Sequence, residues 1–155
     1  MENLSNFNLR TTSFDSNQFL PNKFVYNGSS CKGENVSPEL EWENPPEGTK
    51  SFAVTVFDPD AAEEGWWHWT VVNIPASVNS IPEGASNQKQ LPKGAVEGKT
   101  DFGNPGYGGA CPPPGKTHRY IFTVYALKKE KIDPNFDSID ANSLGKASFT
   151  VKYGR

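Results

Sequence analysis

The sequence predicts an all-β fold with one or two short helices. Thirteen prolines and fourteen glycines interrupt the 155 residues, and neither residue is well tolerated in the interior of a helix. Several short segments rich in β-branched and aromatic residues are each bounded by turn-forming residues, which is typical of strands. A chain of this length falls within the range of a single domain, so we expect one domain over residues 1–155.

Three segments predict the strands of the central sheet. Residues 52–57 read Phe-Ala-Val-Thr-Val-Phe, a nearly continuous apolar run that indicates a buried central strand. Residues 67–74 and 120–127 have a similar length and composition, and we expect the three strands to form the core sheet. Weaker strand candidates are residues 7–13, 24–26, 40–42 and 147–153.

Helical periodicity occurs at one place, over residues 137–146. Ile139, Ala141 and Leu144 would share one face of a helix there, and Gly145 would end it. We therefore expect a short helix shortly before the last strand.

The long stretch over residues 76–117 carries little strand or helix signal, and loops of that length are usually functional or disordered. Residues 77–98 are polar with scattered prolines, which predicts an exposed excursion. Residues 101–115 are rich in glycine, proline and aromatic residues. Glycine lets a backbone approach a ligand closely and proline fixes the shape of a loop. This part could therefore line a pocket, with a rigid surface connection as the alternative.

The charge balance and the N-terminal residues limit the classes of partner and location. A formal charge of −3 leaves no broad positive field to hold nucleic acid, which is not expected as a partner. The segment from Met1 to Arg10 lacks the basic start and apolar run of a secretory signal. No run of about eighteen apolar residues predicts a transmembrane helix. We expect a cytoplasmic protein.

The two cysteines, Cys31 and Cys111, are too few to build a disulfide-rich secreted fold. Because the cytosol keeps thiols reduced, we expect free thiols rather than a bridge. The sequence leaves open whether the two residues approach each other.

The candidate site consists of one carboxylate and the two histidines of the chain. His68 and His118 each lie at or near the start of a predicted strand, and Asp58 follows the first strand. If the three strands are neighbours with these ends on one side, the three side chains meet at one rim of the sheet. Each residue also has a plainer explanation. Asp-Pro-Asp is a common turn, and a histidine among tryptophans is often a packed core residue.

Several separated motifs occur in order along the chain. They are Asp-Pro-Asp-Ala at 58–61, Trp-Trp-His-Trp-Thr-Val-Val-Asn-Ile-Pro at 66–75, and Tyr-Gly-Gly-Ala-Cys-Pro-Pro-Pro-Gly-Lys-Thr-His-Arg-Tyr at 107–120. These motifs resemble the two signature regions of the phosphatidylethanolamine-binding proteins, also called Raf kinase inhibitor-like proteins. The run from Asn-Gly-Ser-Ser-Cys to Pro-Glu-Leu-Glu-Trp at 27–42 is similar to the small bacterial branch of that family.

The resemblance implies an antiparallel β-sandwich with Greek-key links and one anion pocket at the edge of the large sheet. It also implies a binding protein without catalysis or cofactor, which accepts phospholipid head groups, phosphorylated side chains or simple oxyanions. Several eukaryotic members regulate kinases. Carried over residue by residue and extended by the neighbouring Cys111, the ligand-binding set is Asp58, Trp66, His68, Gly109, Cys111, Pro112, Pro113, His118 and Tyr120.

We expect both histidines to donate hydrogen bonds to phosphate oxygens, so binding should weaken above about pH 7.5 as imidazolium is lost. Asp58 carries the wrong charge to face a phosphate and would instead accept an imidazole N–H, which fixes the tautomer. Backbone N–H groups near Gly109 and Cys111 would add donors. The expected apolar wall is Pro112, Pro113, Trp66 and Tyr120.

The chain departs from the family pattern after the Asp-Pro-Asp-Ala motif. The family often has a proline there, frequently with a cis peptide, whereas this chain has Ala62. A cis bond before a non-proline residue costs about 2.5–4 kcal/mol, so we expect a trans bond between Ala61 and Ala62.

Alternative functions stay open. One carboxylate and two histidines could bind zinc with an open position, or serve a hydrolase in which Cys111 is the nucleophile. The protein could also act by surface contact as an inhibitor of a protease or kinase. Because small bacterial relatives are often dimers, a homodimer is a further expectation.

Overall fold

The structure is a computed structural model that describes residues 6–155. The segment from Met1 to Arg10, which argues against a secretory signal, therefore lies partly outside the described residues. Residues 6–155 form ten strands, one α-helix and a 3-10 turn at Asn22–Phe24. The elements are β1 Asn8–Arg10, β2 Asn27–Gly28, β3 Cys31–Lys32, β4 Leu40–Glu43, β5 Ser51–Asp58, β6 Trp66–Pro75, β7 Ser80–Ile81, β8 Val96–Glu97, β9 Thr117–Leu127, α1 Phe136–Asn142 and β10 Ser143–Gly154.

The strands form antiparallel sheets, as the sequence predicts. The large sheet has the order β10-β9-β5-β6-β8, a smaller sheet has the order β1-β4-β7, and β2 pairs with β3. The strand β9 returns after a long connection to pair with β5 on the side opposite β6. The main core joins the two larger sheets, and the rings of Trp42 and Phe52 lie 5.4 Å apart within it.

The central strand β5 is buried on both faces, which explains its continuous apolar sequence. Phe52, Val54 and Val56 belong to the main core. Ala53 faces a second cluster on the other side of the sheet, where Ile139 of α1 also packs. Burial on both faces fixes the position of β5 and hence of the residue at its end.

The helix predicted over residues 137–146 is shorter and begins earlier. It spans Phe136–Asn142, and the side chain of Asn135 accepts a hydrogen bond from the backbone N–H of Ser138 at 2.8 Å. From Ser143 onwards the backbone pairs with β9 instead. Leu144 consequently lies on the edge strand and is 42% exposed, so its expected place on a buried helix face is wrong.

Two further expectations differ from the structure. Residues 24–26 do not form a strand, because Phe24 ends the 3-10 turn and Val25 makes only an isolated bridge to Ala110. The expected exposed excursion over residues 77–98 contains β7 and β8, and Ile81 is fully buried. The polar composition of residues 77–98 gave no indication that β7 and β8 pair with strands of both larger sheets. No helix in the described part of the chain is long and apolar enough to cross a membrane.

Candidate functional site

A cavity of about 580 Å³ opens at one end of the large sheet and is called the main cavity here. It lies where β5 ends and where β6 and β9 begin. These ends coincide because β5 runs antiparallel to both neighbours, with Asp58 opposite Trp66 and Phe57 opposite Ile121. The residues lining it are Tyr26, Ser29, Asp58, Asp60, Ala61, Ala62, Trp66, His68, Phe102, Cys111, Pro113, Lys116, His118 and Tyr120.

The buried carboxylate of Asp58 holds the ring of His118. Nδ1 of His118 lies 2.7 Å from Oδ2 of Asp58, and the two residues are 9% and 2% exposed. The other carboxylate oxygen accepts the backbone N–H of Asp60 at 2.8 Å. Asp58 therefore closes the turn after β5 and also orients an imidazole. The two roles considered for Asp58, a turn residue and a site residue, are both observed. This bond leaves Nε2 of His118 available to a ligand.

His68 is positioned differently, by a backbone carbonyl. Its Nδ1 lies 2.7 Å from the carbonyl oxygen of Gly108. A carbonyl can only accept, so Nδ1 carries the proton. Burial lowers the pKa of His68, and the neighbouring carbonyls and Asp58 counter that effect only in part. The neutral ring then has its lone pair on Nε2, which accepts a hydrogen bond. This geometry favours Nε2 of His68 as an acceptor, in contrast to the expectation that His68 donates to a ligand.

Tyr120 was expected in the apolar wall, but its hydroxyl is a polar feature of the site. The hydroxyl is buried and makes no hydrogen bond of normal geometry with residues 6–155. Burial raises the pKa of Tyr120 far above its usual value, and the nearby backbone N–H of Cys111 offsets only part of that rise. The phenol therefore stays protonated and can donate. Its ring also packs edge-on to His68, with centroids 5.3 Å apart.

Within the glycine-rich loop, Gly109 packs against other backbone segments and does not line the main cavity. The backbone N–H of Gly109 donates to Oδ1 of Asn35 at 2.7 Å, so it is not free to bind an anion as expected. A Cβ at Gly109 would lie 2.2 Å from the carbonyl oxygen of Phe24. Gly109 is outside the cavity lining, and its lack of a side chain serves this close approach of two backbones.

The two prolines assigned to the pocket have separate roles. Pro113 lines the main cavity, whereas Pro112 does not. The carbonyl of Pro112 accepts a hydrogen bond from Nε of Arg155 at 2.8 Å. Arg155, which directly follows β10, therefore ties the proline-rich loop to the end of that strand.

Cys31 and Cys111 form a disulfide, so the expectation of free thiols is wrong. The sequence could not reveal the pairing because the two residues are 80 positions apart. Cys111 lines the main cavity. As a disulfide it cannot be the nucleophile of a hydrolase. The bond also weighs against the expected cytoplasmic location, since the cytosol keeps thiols reduced.

Several lining residues lie outside the ligand-binding set predicted from the sequence. Tyr26 and Phe102 stack with ring centroids 4.4 Å apart and form an aromatic wall. The peptide between Ala61 and Ala62 is trans, as expected, and Ala62 has a positive φ of 50°. Because Ala61 and Ala62 directly follow Asp-Pro-Asp, their position in the sequence could have predicted that they line the cavity. The remaining lining residues outside the predicted ligand-binding set are Ser29, Asp60 and Lys116, and all three lie within the quoted motifs.

The arrangement of side chains does not favour a metal. Within residues 6–155, no three His, Cys, Asp or Glu side chains are grouped closely enough to hold a metal ion. Asp58 and His118 satisfy each other, and Nδ1 of His68 is bonded to a carbonyl. The cavity instead offers hydrogen-bond donors, an acceptor and aromatic surface.

Comparison with known proteins identifies the family. The family model for the phosphatidylethanolamine-binding protein matches residues 10–154. The chain belongs to the phosphatidylethanolamine-binding protein family. The UPF0098 protein YbcL of Escherichia coli is 47% identical over 159 residues, which cover 95% of this chain and 87% of the relative. YbhB of the same organism is 47% identical over 144 residues, covering 86% and 91% respectively.

Solved structures of the phosphatidylethanolamine-binding protein family share the fold. The crystal structure of E. coli YbcL, described as a member of the mammalian family, matches with a TM-score of 0.92 and 45% identity over 96% of this chain and 98% of that chain. A putative phosphatidylethanolamine-binding protein homolog from Chlamydia trachomatis matches with a TM-score of 0.81 and 28% identity, covering 98% and 99%. The predicted fold and family are therefore confirmed.

Proposed function

We propose that the protein is a non-catalytic binding protein whose main cavity takes a phosphate group, as part of a phospholipid head group or a phosphorylated side chain. The observation that carries the proposal is the ring of His118, held by the buried carboxylate of Asp58 in a cavity that His68 and Tyr120 also line. These side chains supply both hydrogen-bond donors and an acceptor at one place.

A phosphate monoester with one remaining proton fits this set of groups. When protonated, His118 donates one N–H to Asp58 and the other to a phosphate oxygen. The hydroxyl of Tyr120 is a second donor. The lone pair of His68 needs a donor, which the P–OH group of a monoanionic phosphate provides. The second pKa of a phosphate monoester is about 6, so this form is well populated slightly below neutral pH.

The strength expected of such a site is moderate. A charge-assisted hydrogen bond contributes about 1.5–3 kcal/mol, and two or three of them act against the loss of freedom on association. The sum corresponds to a Kd between roughly micromolar and millimolar for a bare phosphate. The aromatic surface of Tyr26 and Phe102 would add affinity for ligands with an apolar part.

The decisive experiment compares phosphoethanolamine with ethanolamine O-sulfate by calorimetry at pH 6.5. The two ligands have similar shape, but the sulfate has no proton to donate to His68. An acceptor left facing another acceptor costs about 1–3 kcal/mol, so we expect the phosphate to bind at least about tenfold tighter. Equal affinities would contradict the assigned role of His68.

Variants of the two histidines test the site itself. We expect His118→Ala and His68→Ala to abolish phosphoethanolamine binding while the far-ultraviolet circular dichroism spectrum stays unchanged. Unchanged affinity in both variants would rule out the main cavity as the phosphate site. In the wild-type protein, affinity should be low above about pH 7.5, because the phosphate proton that His68 accepts has a pKa of about 6 and is lost by then.

Hydrolysis is the alternative activity, and two observations weigh against it. Cys111 is in a disulfide, and the described residues contain no grouped metal ligands. Metal analysis of protein purified without chelator, together with phosphatase and peptidase screens, would detect such an activity. Regulation of a kinase, inhibition of a protease and homodimer formation stay predictions. A cytoplasmic location also stays a prediction, and the disulfide weighs against it.

A further inference from the structure

A second hollow lies directly beside the main cavity. It has a volume of about 510 Å³ and is called the basic hollow here. Asp60, Lys116 and His118 line both spaces, so the two share part of their lining. The full lining of the basic hollow is Asp60, Lys116, Thr117, His118, Arg119 and Lys152.

One acid and one base in the basic hollow neutralise each other. Nη2 of Arg119 donates to Oδ1 of Asp60 at 2.8 Å, and Nε donates to Oδ2 at 3.1 Å. The backbone N–H of Arg119 also donates to Oδ2 at 2.8 Å. The hydrogen bonds from Arg119 lower the pKa of Asp60 to about 2. Asp60 is therefore ionised and fully engaged by Arg119 at any physiological pH.

Two lysines of the basic hollow have no such partner. Lys116 and Lys152 make no side-chain hydrogen bond or ion pair with any residue in the range 6–155. Lys152 on β10 lies directly opposite Arg119 on β9. Because Asp60 neutralises Arg119, the ammonium group of Lys152 has no compensating charge on the neighbouring strand.

The position of these charges contrasts with the chain as a whole. The formal net charge is −3, whereas the lining of the basic hollow contains three Lys or Arg residues and one acid, Asp60. The basic hollow lacks the rings of Tyr26 and Phe102, which line the main cavity. The main cavity thus offers aromatic surface, whereas the basic hollow offers charge.

We propose that the basic hollow is a second anion subsite, which selects small phosphomonoesters that carry a further phosphate or carboxylate group. This inference rests on the proposed function of the main cavity. The first phosphate binds at His118 and His68, and the second anionic group lies between Lys116 and Lys152. Lysine recognises such groups as a point charge, so either kind of anion satisfies the subsite.

Calorimetry with a series of diol phosphates tests the proposal. The monophosphates and the α,ω-bisphosphates of ethanediol, propanediol and butanediol differ only in the second charged group, and 3-phosphoglycerate supplies a carboxylate instead. We expect the best bisphosphate to bind about tenfold tighter than its monophosphate at low salt, with the gain reduced at high salt. A comparable gain for 3-phosphoglycerate would identify carboxylates as ligands, and no gain would restrict the subsite to phosphate.

Charge reversal at one lysine provides the matched control. Lys152 lines only the basic hollow, so Lys152→Glu should remove the bisphosphate gain and leave monophosphate affinity within about twofold. Lys146→Glu makes the same change on an exposed position of the same strand, opposite Tyr125, and should keep the gain. Urea unfolding of both variants confirms that each is folded.

The outcomes separate this inference from the function on which it rests. If monophosphates bind but no bisphosphate gains affinity, the second subsite does not exist and the main cavity stands. A gain that persists in Lys152→Glu also overturns the subsite. If neither class of ligand binds the wild-type protein, the function proposed for the main cavity fails first.

Discussion

Nδ1 of His118 lies 2.7 Å from Oδ2 of Asp58, across 60 positions of sequence. The two residues come together because β5 ends beside the start of β9 in the large sheet. Asp58 is almost completely buried, and both of its oxygens accept hydrogen bonds from within the protein. We therefore expect it to act on a ligand through the imidazole that it orients.

A double-mutant cycle tests this indirect role of Asp58. Asp58→Asn removes the charged acceptor, and we expect phosphoethanolamine affinity to fall about 10–100-fold, the equivalent of one charge-assisted hydrogen bond. His118→Gln should weaken binding by at least as much. Because Asp58 acts through His118, the double variant should bind no more weakly than His118→Gln alone. Titration followed by NMR reaches these weak affinities.

The control for this cycle is Asp137→Asn, which removes an exposed carboxylate on α1. It should leave affinity unchanged in both backgrounds. Additive losses in the Asp58→Asn and His118→Gln double variant would mean that Asp58 contacts the ligand independently.

The buried neutral ring of His68 predicts how stability depends on pH. Its pKa is lowered in the folded state by burial, whereas an unfolded histidine has a pKa of about 6.5. The unfolded state therefore binds the additional proton more readily, and this contribution to stability is lost as pH falls below about 6.5. Urea unfolding between pH 5 and 8 should show this loss, and His68→Gln should flatten that part of the profile. An equally steep profile in the variant would contradict it.

Two buried tyrosines form a matched pair for separating stability from binding. The hydroxyl of Tyr107 donates to the carbonyl of Phe24 at 2.7 Å, so Tyr107→Phe should lower the free energy of unfolding by about 1 kcal/mol. The hydroxyl of Tyr120 makes no such bond, so Tyr120→Phe should leave stability nearly unchanged. We expect only Tyr120→Phe to weaken phosphoethanolamine binding. Calorimetry and urea unfolding of both variants measure the two effects, and equal stability losses would be evidence against this assignment.

The disulfide between Cys31 and Cys111 should make stability sensitive to reductant. A bond that closes a loop of 80 positions restricts the unfolded chain, and removing it typically lowers the free energy of unfolding by about 2–4 kcal/mol. We expect dithiothreitol to shift the urea midpoint of the wild-type protein downward. The double variant Cys31→Ser/Cys111→Ser should start at the lower midpoint and show no response to reductant. If the urea midpoint of the wild-type protein does not change with reductant, the disulfide does not contribute to the free energy of unfolding.

The strands of the large sheet could be predicted from the sequence because their signals are local. The run at 52–57 is apolar at nearly every position, and this pattern requires burial on both faces, as β5 has. The helix was less well predicted, since Leu144 and Gly145 fit a helical period equally well. Pairing with β9 decided the matter, because it satisfies the backbone of β10 from Ser143 onwards.

The sequence predicted which residues form the candidate site better than it predicted which of their groups donate or accept hydrogen bonds. Asp58, His68 and His118 do line one cavity. The proton on Nδ1 of His68 depends on a carbonyl 40 positions away, which no pattern around residue 68 encodes. The same holds for Gly109, whose N–H is taken by Asn35 at a separation of 74 positions.

Local sequence patterns were enough to predict the all-β class, the family and the residue types that meet at the end of the large sheet, because hydrophobic runs, turn formers and ordered motifs are properties of neighbouring residues. The tertiary structure alone decided the disulfide, the acceptor role of His68, the unpaired hydroxyl of Tyr120 and the pair of free lysines beside the main cavity. Those features arise from burial and from contacts between distant segments. Burial sets which proton a ring keeps, and the packing of the chain sets which charge is left without a partner.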